Sequence, residues 1–165
     1  MPDKRTIEKA REDKREGKSA MTQAGEFVKE QIDKIRRGVH GARSTRQAIA
    51  IGLSEARRSG VDLPPPRKGK RSTRKSAKYA YEVGQGKRKP RRRPRVSRAV
   101  TNVLKREPRA AASRKALSRQ ARSAAKRRSA SQRSTAARKA ARTKGASVRS
   151  AAAKKAARTR ARRSK

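Results

Sequence analysis

Lysine and arginine, whose side chains bind phosphate groups, are the residues of this chain that are numerous enough and closely enough spaced to form a binding surface. The 165 residues include 53 Lys or Arg against 12 Asp or Glu. One segment, KRKPRRRPR, has seven basic residues in nine, namely Lys87, Arg88, Lys89, Arg91, Arg92, Arg93 and Arg95. Short Arg-Pro-Arg segments can lie in a narrow minor groove, where negative potential is concentrated. The segment therefore predicts nucleic-acid binding, with a solvated cationic linker as the alternative.

A repeat near the end of the chain carries two further groups of cations. RSTAARKAART at 133–143 matches RSAAAKKAART at 149–159 in nine of eleven positions, sixteen residues apart. On a helical wheel the cations of each copy fall within about 100°, and alanines fill the opposite side. They are Arg138, Lys139 and Arg142 in the first copy, and Lys154, Lys155 and Arg158 in the second. We predict that each cationic stripe binds phosphates of a polyanion.

Residues suited to catalysis or metal binding are few. The chain has no Cys, and its one histidine, His40, lies in a Gly-flanked turn without a neighbouring pair of carboxylates. A structural zinc site needs four Cys, His or carboxylate ligands. We therefore expect no enzyme activity, no metal or other cofactor, and no small-molecule substrate.

Charge and apolar residues are distributed unevenly along the chain. Residues 1–66 hold 15 Lys or Arg and 10 Asp or Glu, whereas residues 67–165 hold 38 and two. Of the Ile, Leu, Val, Met and Phe residues, 13 precede residue 67 and seven follow it. A segment so charged and so poor in large apolar groups cannot bury enough surface to offset the entropy of ordering it. Like charges four residues apart also oppose helix formation.

Two amphipathic helices are predicted in the first part of the chain. The first has apolar residues at helical spacing after Thr22, a possible cap, and ends at Gly38. The second begins with Ser44 and Gln47 in capping-box spacing and ends at Gly60, before three prolines. The expected contacts between the helices are Ile32, Ile35, Ile49 and Leu53.

Such a pair of helices has two interpretations. One is a hairpin that packs on itself or self-associates with a second copy through the N-terminal helices. The other is a helix-turn-helix that reads DNA bases. We favour the hairpin, because the second helix has no exposed set of Asn, Gln and Arg suited to base edges.

The sequence thus predicts an all-α fold, with a short N-terminal helical hairpin followed by a long, largely disordered Lys/Arg/Ala-rich tail with latent helices. Its segments are a charged N-terminus (1–21), the hairpin (22–63), a Pro/Gly/basic linker that is expected to be unfolded (64–95) and the repeat tail (96–165). Within the tail, the segment RVSRAVTNVLKREP (95–108) is expected to form a short amphipathic helix, whose stability alone is marginal. In the repeats that follow, helix is expected only where a polyanion removes the repulsion along a cationic stripe.

The motifs QAGEFV, HGARS and QAIAIGLS, within residues 22–66, resemble an uncharacterised family of small, highly basic bacterial proteins. The resemblance implies a bacterial origin and supplies no activity. The tail is similar in composition to linker-histone-like nucleoid proteins.

The interpretation we favour is a sequence-tolerant, histone-like DNA-binding protein that coats or compacts the nucleoid, with double-stranded DNA as its partner. The alternative is an RNA-associated basic protein, such as a ribosomal or ribosome-assembly component. No membrane partner is expected, because the longest uncharged run, Gln47–Ser54, is far shorter than the roughly 20 residues of a span. The N-terminus has no apolar signal segment, which indicates a cytoplasmic location.

Overall fold

The computed structural model describes residues 2–91 and 93–163, with the side chains of Lys144 and Arg163 excepted. All regular structure within these ranges is helical. The chain divides into two compact units, residues 1–120 and 121–165. The helices are α1 (Lys4–Arg15), α2 (Ala20–Arg36), α3 (Thr45–Arg58), α4 (Arg71–Gly84), α5 (Pro94–Arg106), a 3₁₀ turn (Arg109–Ala112), α6 (Arg114–Lys126) and α7 (Ala130–Arg163).

Local capping signals set the ends of α2 and α3. The Ser44 hydroxyl accepts the N–H of Gln47 at 3.2 Å, which confirms the predicted start of α3. Gly38 and Gly60 end the two helices with φ of 79° and 89°, a left-handed conformation that glycine adopts without strain. The start of α2 was predicted wrongly, because Ser19 rather than Thr22 caps it.

The core of the first unit consists of two apolar clusters. One contains Ala10, Ala24, Phe27, Ala56, Val61 and Leu63, with Leu53 at its edge. The other contains Ile32, Ile35, Ala42, Ala48, Ala111 and Ala112, with Val28 and Leu117 packed against it. The four predicted contacts therefore do not meet at one place: Ile32 and Ile35 lie in the second cluster, Leu53 borders the first, and Ile49 belongs to neither.

At Gly52 the backbones of α2 and α3 come close together. A Cβ atom added there would lie 2.7 Å from the Val28 Cα and 3.0 Å from the Phe27 carbonyl oxygen. Both are backbone atoms of α2, so a side chain at residue 52 could be accommodated only by moving the helices apart. A glycine in a helix interior costs about 1 kcal/mol relative to alanine, and here the close packing offsets that cost.

We expect Gly52→Ala to destabilise the first unit by about 1–2 kcal/mol, because overpacking costs about 1–3 kcal/mol and exceeds the gain in helix propensity. Gly25→Ala on α2 is the matched control, since nothing lies within 4 Å of its added Cβ. That control should raise stability by about 0.5–1 kcal/mol. Urea denaturation measures both, and equal shifts in the same direction would contradict the close approach at Gly52.

Residues 71–84 form α4, so the expectation of an unfolded linker was wrong there. Ala77 and Ala80 are buried, and α4 packs on α3. The Tyr81 hydroxyl donates to Asp62 at 2.7 Å, and this hydrogen bond raises the pKa of Tyr81. Small residues make the contact possible, because a Cβ at Gly84 would lie 1.7 Å from the Arg57 carbonyl oxygen.

The end of α5 and the segment that follows it bind the loop between α2 and α3. The N–H of Gly41 donates to the Leu104 carbonyl at 2.7 Å, and that of Ala42 donates to the Pro108 carbonyl at 3.2 Å. The Thr45 hydroxyl donates to the Ala111 carbonyl at 2.7 Å. The 3₁₀ turn thus completes the second apolar cluster with two alanines from far along the chain.

The prediction of a largely disordered tail was also wrong. Helices α5, α6 and α7 cover most of residues 94–163. Alanine and arginine are among the best helix formers, and the repulsion of each like-charge pair is only about 0.2–0.5 kcal/mol. Capping adds to this: Ser113 caps α6, and Pro94 occupies the first turn of α5. The prediction gave too much weight to charge repulsion and too little to propensity.

Candidate nucleic-acid interface

The predicted basic segment lies between α4 and α5. Lys87, Arg88, Lys89 and Arg91 are exposed in the connection, Arg93 is the N-cap residue of α5, and Arg95 lies in its first turn. Arg92 lies outside the described residues. The structure therefore places six of the seven predicted cations along one short stretch of exposed backbone.

Tyr79 on α4 holds this basic segment in place. The Arg88 guanidinium lies 5.0 Å from the centroid of the Tyr79 ring, and its Nη1 is 3.3 Å from Glu82 Oε2. The N–H of Arg91 donates to the Tyr79 hydroxyl at 2.7 Å. Arg88 is thus partly neutralised, so Lys87, Lys89 and the Arg91 side chain are the cations of the connection best placed to bind an external anion.

The two predicted stripes lie on α7. Arg138, Lys139 and Arg142 are exposed on its first part, and Lys154, Lys155 and Arg158 are exposed on its second. Within the ranges that the structure describes, none of these six side chains makes a hydrogen bond or an ion pair. Their charges are therefore free to bind anions from solution.

Serine and threonine residues support both parts of α7 locally. Ser129 and Gln132 form a capping box, in which each side chain accepts the backbone N–H of the other residue. The Thr143 hydroxyl donates to the Lys139 carbonyl at 2.9 Å, and the Thr159 hydroxyl donates to the Lys155 carbonyl at 3.0 Å. The two copies of the repeat thus share a hydrogen bond as well as a sequence.

The two units differ in how their cations are neutralised. In the first unit Lys9 pairs with Glu26 at 3.5 Å and Lys18 with Asp13 at 2.7 Å, and Lys34 pairs with Glu30. Residues 121–165 contain 17 Lys or Arg and no acidic residue. Every Lys or Arg side chain described in that segment is exposed. The second unit therefore presents an unneutralised cationic surface to solvent.

A further cationic surface escaped the sequence analysis. Arg36, Arg109 and Arg114 line an open cavity of about 490 Å³ together with Ala112 and Ser113. The Arg36 Nε donates to the Ala112 carbonyl at 3.1 Å, which fixes that guanidinium at the rim. Nothing in the spacing of these arginines predicts the cavity, because it forms only when the 3₁₀ turn docks on α2.

His40 takes part in a chain of hydrogen bonds between α2 and α3. Its Nε2 is 3.0 Å from Gln31 Oε1, and its Nδ1 is 2.9 Å from the Gly41 carbonyl oxygen. The Gln31 amide donates to Glu55 at 2.6 Å, and burial raises the pKa of Glu55.

No group of three His, Asp or Glu that could hold a metal ion occurs among the residues described. No described helix is long and apolar enough to cross a membrane.

Comparison with known proteins finds a similarity over part of the first unit. A family of unknown function, DUF6496, matches residues 4–68, from α1 through α3 and the prolines that follow. No curated protein and no solved structure matches the chain. The matched segment includes the loop that binds residues 104–112, whereas the basic segment and α7 lie beyond it. The chain is therefore similar to this family over its first helices, and its cationic helices lie outside the similarity.

Proposed function

We propose that this protein binds double-stranded DNA without sequence preference and neutralises backbone phosphates through its cationic helices. The observation that carries the proposal is the second unit, in which 17 basic residues meet no acidic one. Duplex DNA carries one charge per roughly 1.7 Å of axis, so 17 cations match about 29 Å of duplex. Each phosphate contact releases condensed counterions, which favours binding regardless of base sequence.

The distribution of residue types supports phosphate binding over base readout. Arginine outnumbers lysine 24 to 14 after residue 66, and its planar fork suits bidentate contacts to phosphate. The faces of α7 opposite the stripes carry alanines, which offer no hydrogen bonds to base edges. A bacterial protein with these properties would coat or compact the nucleoid.

Neutralising four stripe cations tests the proposal. We expect the quadruple variant Arg138→Gln, Arg142→Gln, Lys154→Gln and Arg158→Gln to lower the salt dependence of DNA binding. The plot of log K against log[salt] should become shallower by up to about 3.6, at roughly 0.9 for each phosphate that the protein no longer neutralises. Fluorescence anisotropy with labelled duplexes at several salt concentrations measures the slope.

The first unit supplies a matched control. Lys4, Arg15, Arg43 and Arg58 are also three arginines and one lysine, and all four are exposed. Changing these four to Gln removes the same total charge and should leave the slope nearly unchanged. An equal loss in both variants would show that net charge, rather than the stripes, drives binding.

Two further kinds of nucleic acid test the binding specificity of the protein. The quadruple variant should lose equal affinity for unrelated DNA sequences, because phosphate contacts carry no sequence information. A loss confined to one sequence would indicate base readout. A double-stranded RNA of the same length also presents phosphates, so direct competition between the two duplexes separates the functions. We expect duplex DNA to bind at least as tightly, and a clear preference for RNA would favour an RNA-associated function.

A further inference from the structure

The spacing of the repeat does not match the period of an α-helix. The two cationic stripes are sixteen residues apart. At 100° per residue, sixteen residues rotate the chain by about 160° beyond four full turns. On one unbroken helix, the stripes would therefore point in nearly opposite directions, about 24 Å apart along the axis.

The structure interrupts the helix between the two stripes. Gly145 has φ of 66° and ψ of 169°, far from helical values, so residues 130–144 and 146–163 are separate helical segments. A Cβ added to Gly145 would have nothing within 4 Å, so packing does not impose this conformation. Glycine alone populates a positive φ without penalty, which makes residue 145 the one natural joint in α7.

We propose that Gly145 is a joint that lets both cationic stripes contact the same DNA duplex. This inference rests on the proposed function and adds the geometry of its contact surface. On an unbroken helix the two stripes would be fixed about 160° apart around the axis. A break in the helix removes that constraint on the second segment. Each segment can then turn its own stripe toward the phosphates. Gly145, which lies between the two copies of the repeat, thus determines how many of the cations on either side can bind phosphates at the same time.

Replacing the joint tests the inference without changing any charge. Gly145→Ala removes the residue that favours a positive φ and adds a strong helix former, so α7 should become one continuous helix. One stripe of three cations would then face away from the duplex. We expect the slope of log K against log[salt] for duplex DNA to become shallower by up to about 2.7.

A second variant restores the alignment by a different route. Inserting two alanines after residue 145 in the Gly145→Ala protein places the stripes eighteen residues apart, which is five full turns of an α-helix. Both stripes then lie on one face of a continuous helix. We expect the wild-type slope to return, although the joint is still absent. Recovery would show that alignment of the stripes, rather than flexibility alone, determines binding.

A spin-label distance measurement in the full chain checks the geometry independently of DNA. The protein has no native cysteine, so Ala137→Cys and Ala153→Cys provide unique labelling sites in the two copies. In the Gly145→Ala background the distance distribution should narrow around a single value above the roughly 24 Å axial separation, because the two labels project from nearly opposite faces of a continuous helix. A distribution unchanged from that of the wild-type background would overturn the role of Gly145.

The results separate this inference from the proposed function. If the wild-type protein shows a steep salt slope and Gly145→Ala keeps it, the joint is unnecessary and only the inference fails. If Gly145→Ala lowers the slope but the two-alanine insertion does not restore it, alignment of the stripes is not the cause. If the wild-type protein does not bind duplex DNA, the proposed function fails and the inference fails with it.

Discussion

Truncation of the chain after Arg128 is expected to remove most of its affinity for duplex DNA. The deleted segment carries 13 Lys or Arg and no acidic residue. Proteins that make 6–10 phosphate contacts lose about 10³–10⁵ in affinity when salt rises fourfold. The truncation deletes all 13 cations. With about half of them in contact with phosphates, their loss should weaken binding by at least about 10³-fold at 0.1 M salt. Electrophoretic mobility shift with a mixed-sequence duplex measures the change.

The truncated protein serves as its own folding control. Both apolar clusters lie before Arg128, the last contribution being that of Leu117. The truncation also leaves α6 complete at Lys126. Thermal unfolding of the truncated chain should therefore match that of the first unit in the intact protein. If the truncated protein stays folded and keeps its affinity within tenfold, the interface lies in the first unit instead.

Phe27→Ala is expected to cause the largest loss of stability of any single substitution in the first unit. Phe27 is fully buried in the first apolar cluster, against alanines and the Val61–Leu63 segment. Truncating a buried phenylalanine costs about 3–5 kcal/mol, from reduced burial and from the cavity left behind. That is a large share of the 5–15 kcal/mol by which whole domains are stable. Urea denaturation followed by circular dichroism reports the change.

Met21 provides the comparison for Phe27. It lies on the same helix and is 63% exposed, so Met21→Ala should change the free energy of unfolding by less than about 0.5 kcal/mol. Comparable losses in the two variants would contradict the assignment of Phe27 to the core. DNA binding by Phe27→Ala at a temperature where the first unit is unfolded would further show whether α7 acts alone.

Local signals in the sequence predicted the ends of α2 and α3 better than the packing of these helices. The cap at Ser44 and the stops at Gly38 and Gly60 depend on neighbouring residues alone, so spacing was enough to find them. Gly52 gives no such signal, because its role arises only where α2 meets α3. Ile49 was expected in the interface because it shares a helical face with Leu53. The buried residues of α3 lie instead on the face of Ala48, Gly52 and Ala56.

In the tail, neither the segment that docks on the first helices nor the extent of helix was predicted. Ala111 and Ala112 look like any other alanines of a low-complexity segment, and only the docked 3₁₀ turn distinguishes them. The cavity of Arg36, Arg109 and Arg114 follows from the same docking. Composition marked out the two cationic stripes, and their side chains lie exposed on α7 because no apolar partner covers them. It misjudged helix formation, because capping by Ser129 and Gln132 outweighs modest repulsion.

In the proposed function, exposed cations of the intact protein bind duplex DNA by neutralising phosphates. The measurement that tests it most directly is the equilibrium constant of the full chain for two unrelated duplexes of equal length, determined across a series of salt concentrations. We predict a linear fall of log K with log[salt], at roughly 0.9 per phosphate neutralised, with the same slope for both sequences. A slope near zero for either duplex would contradict the claim.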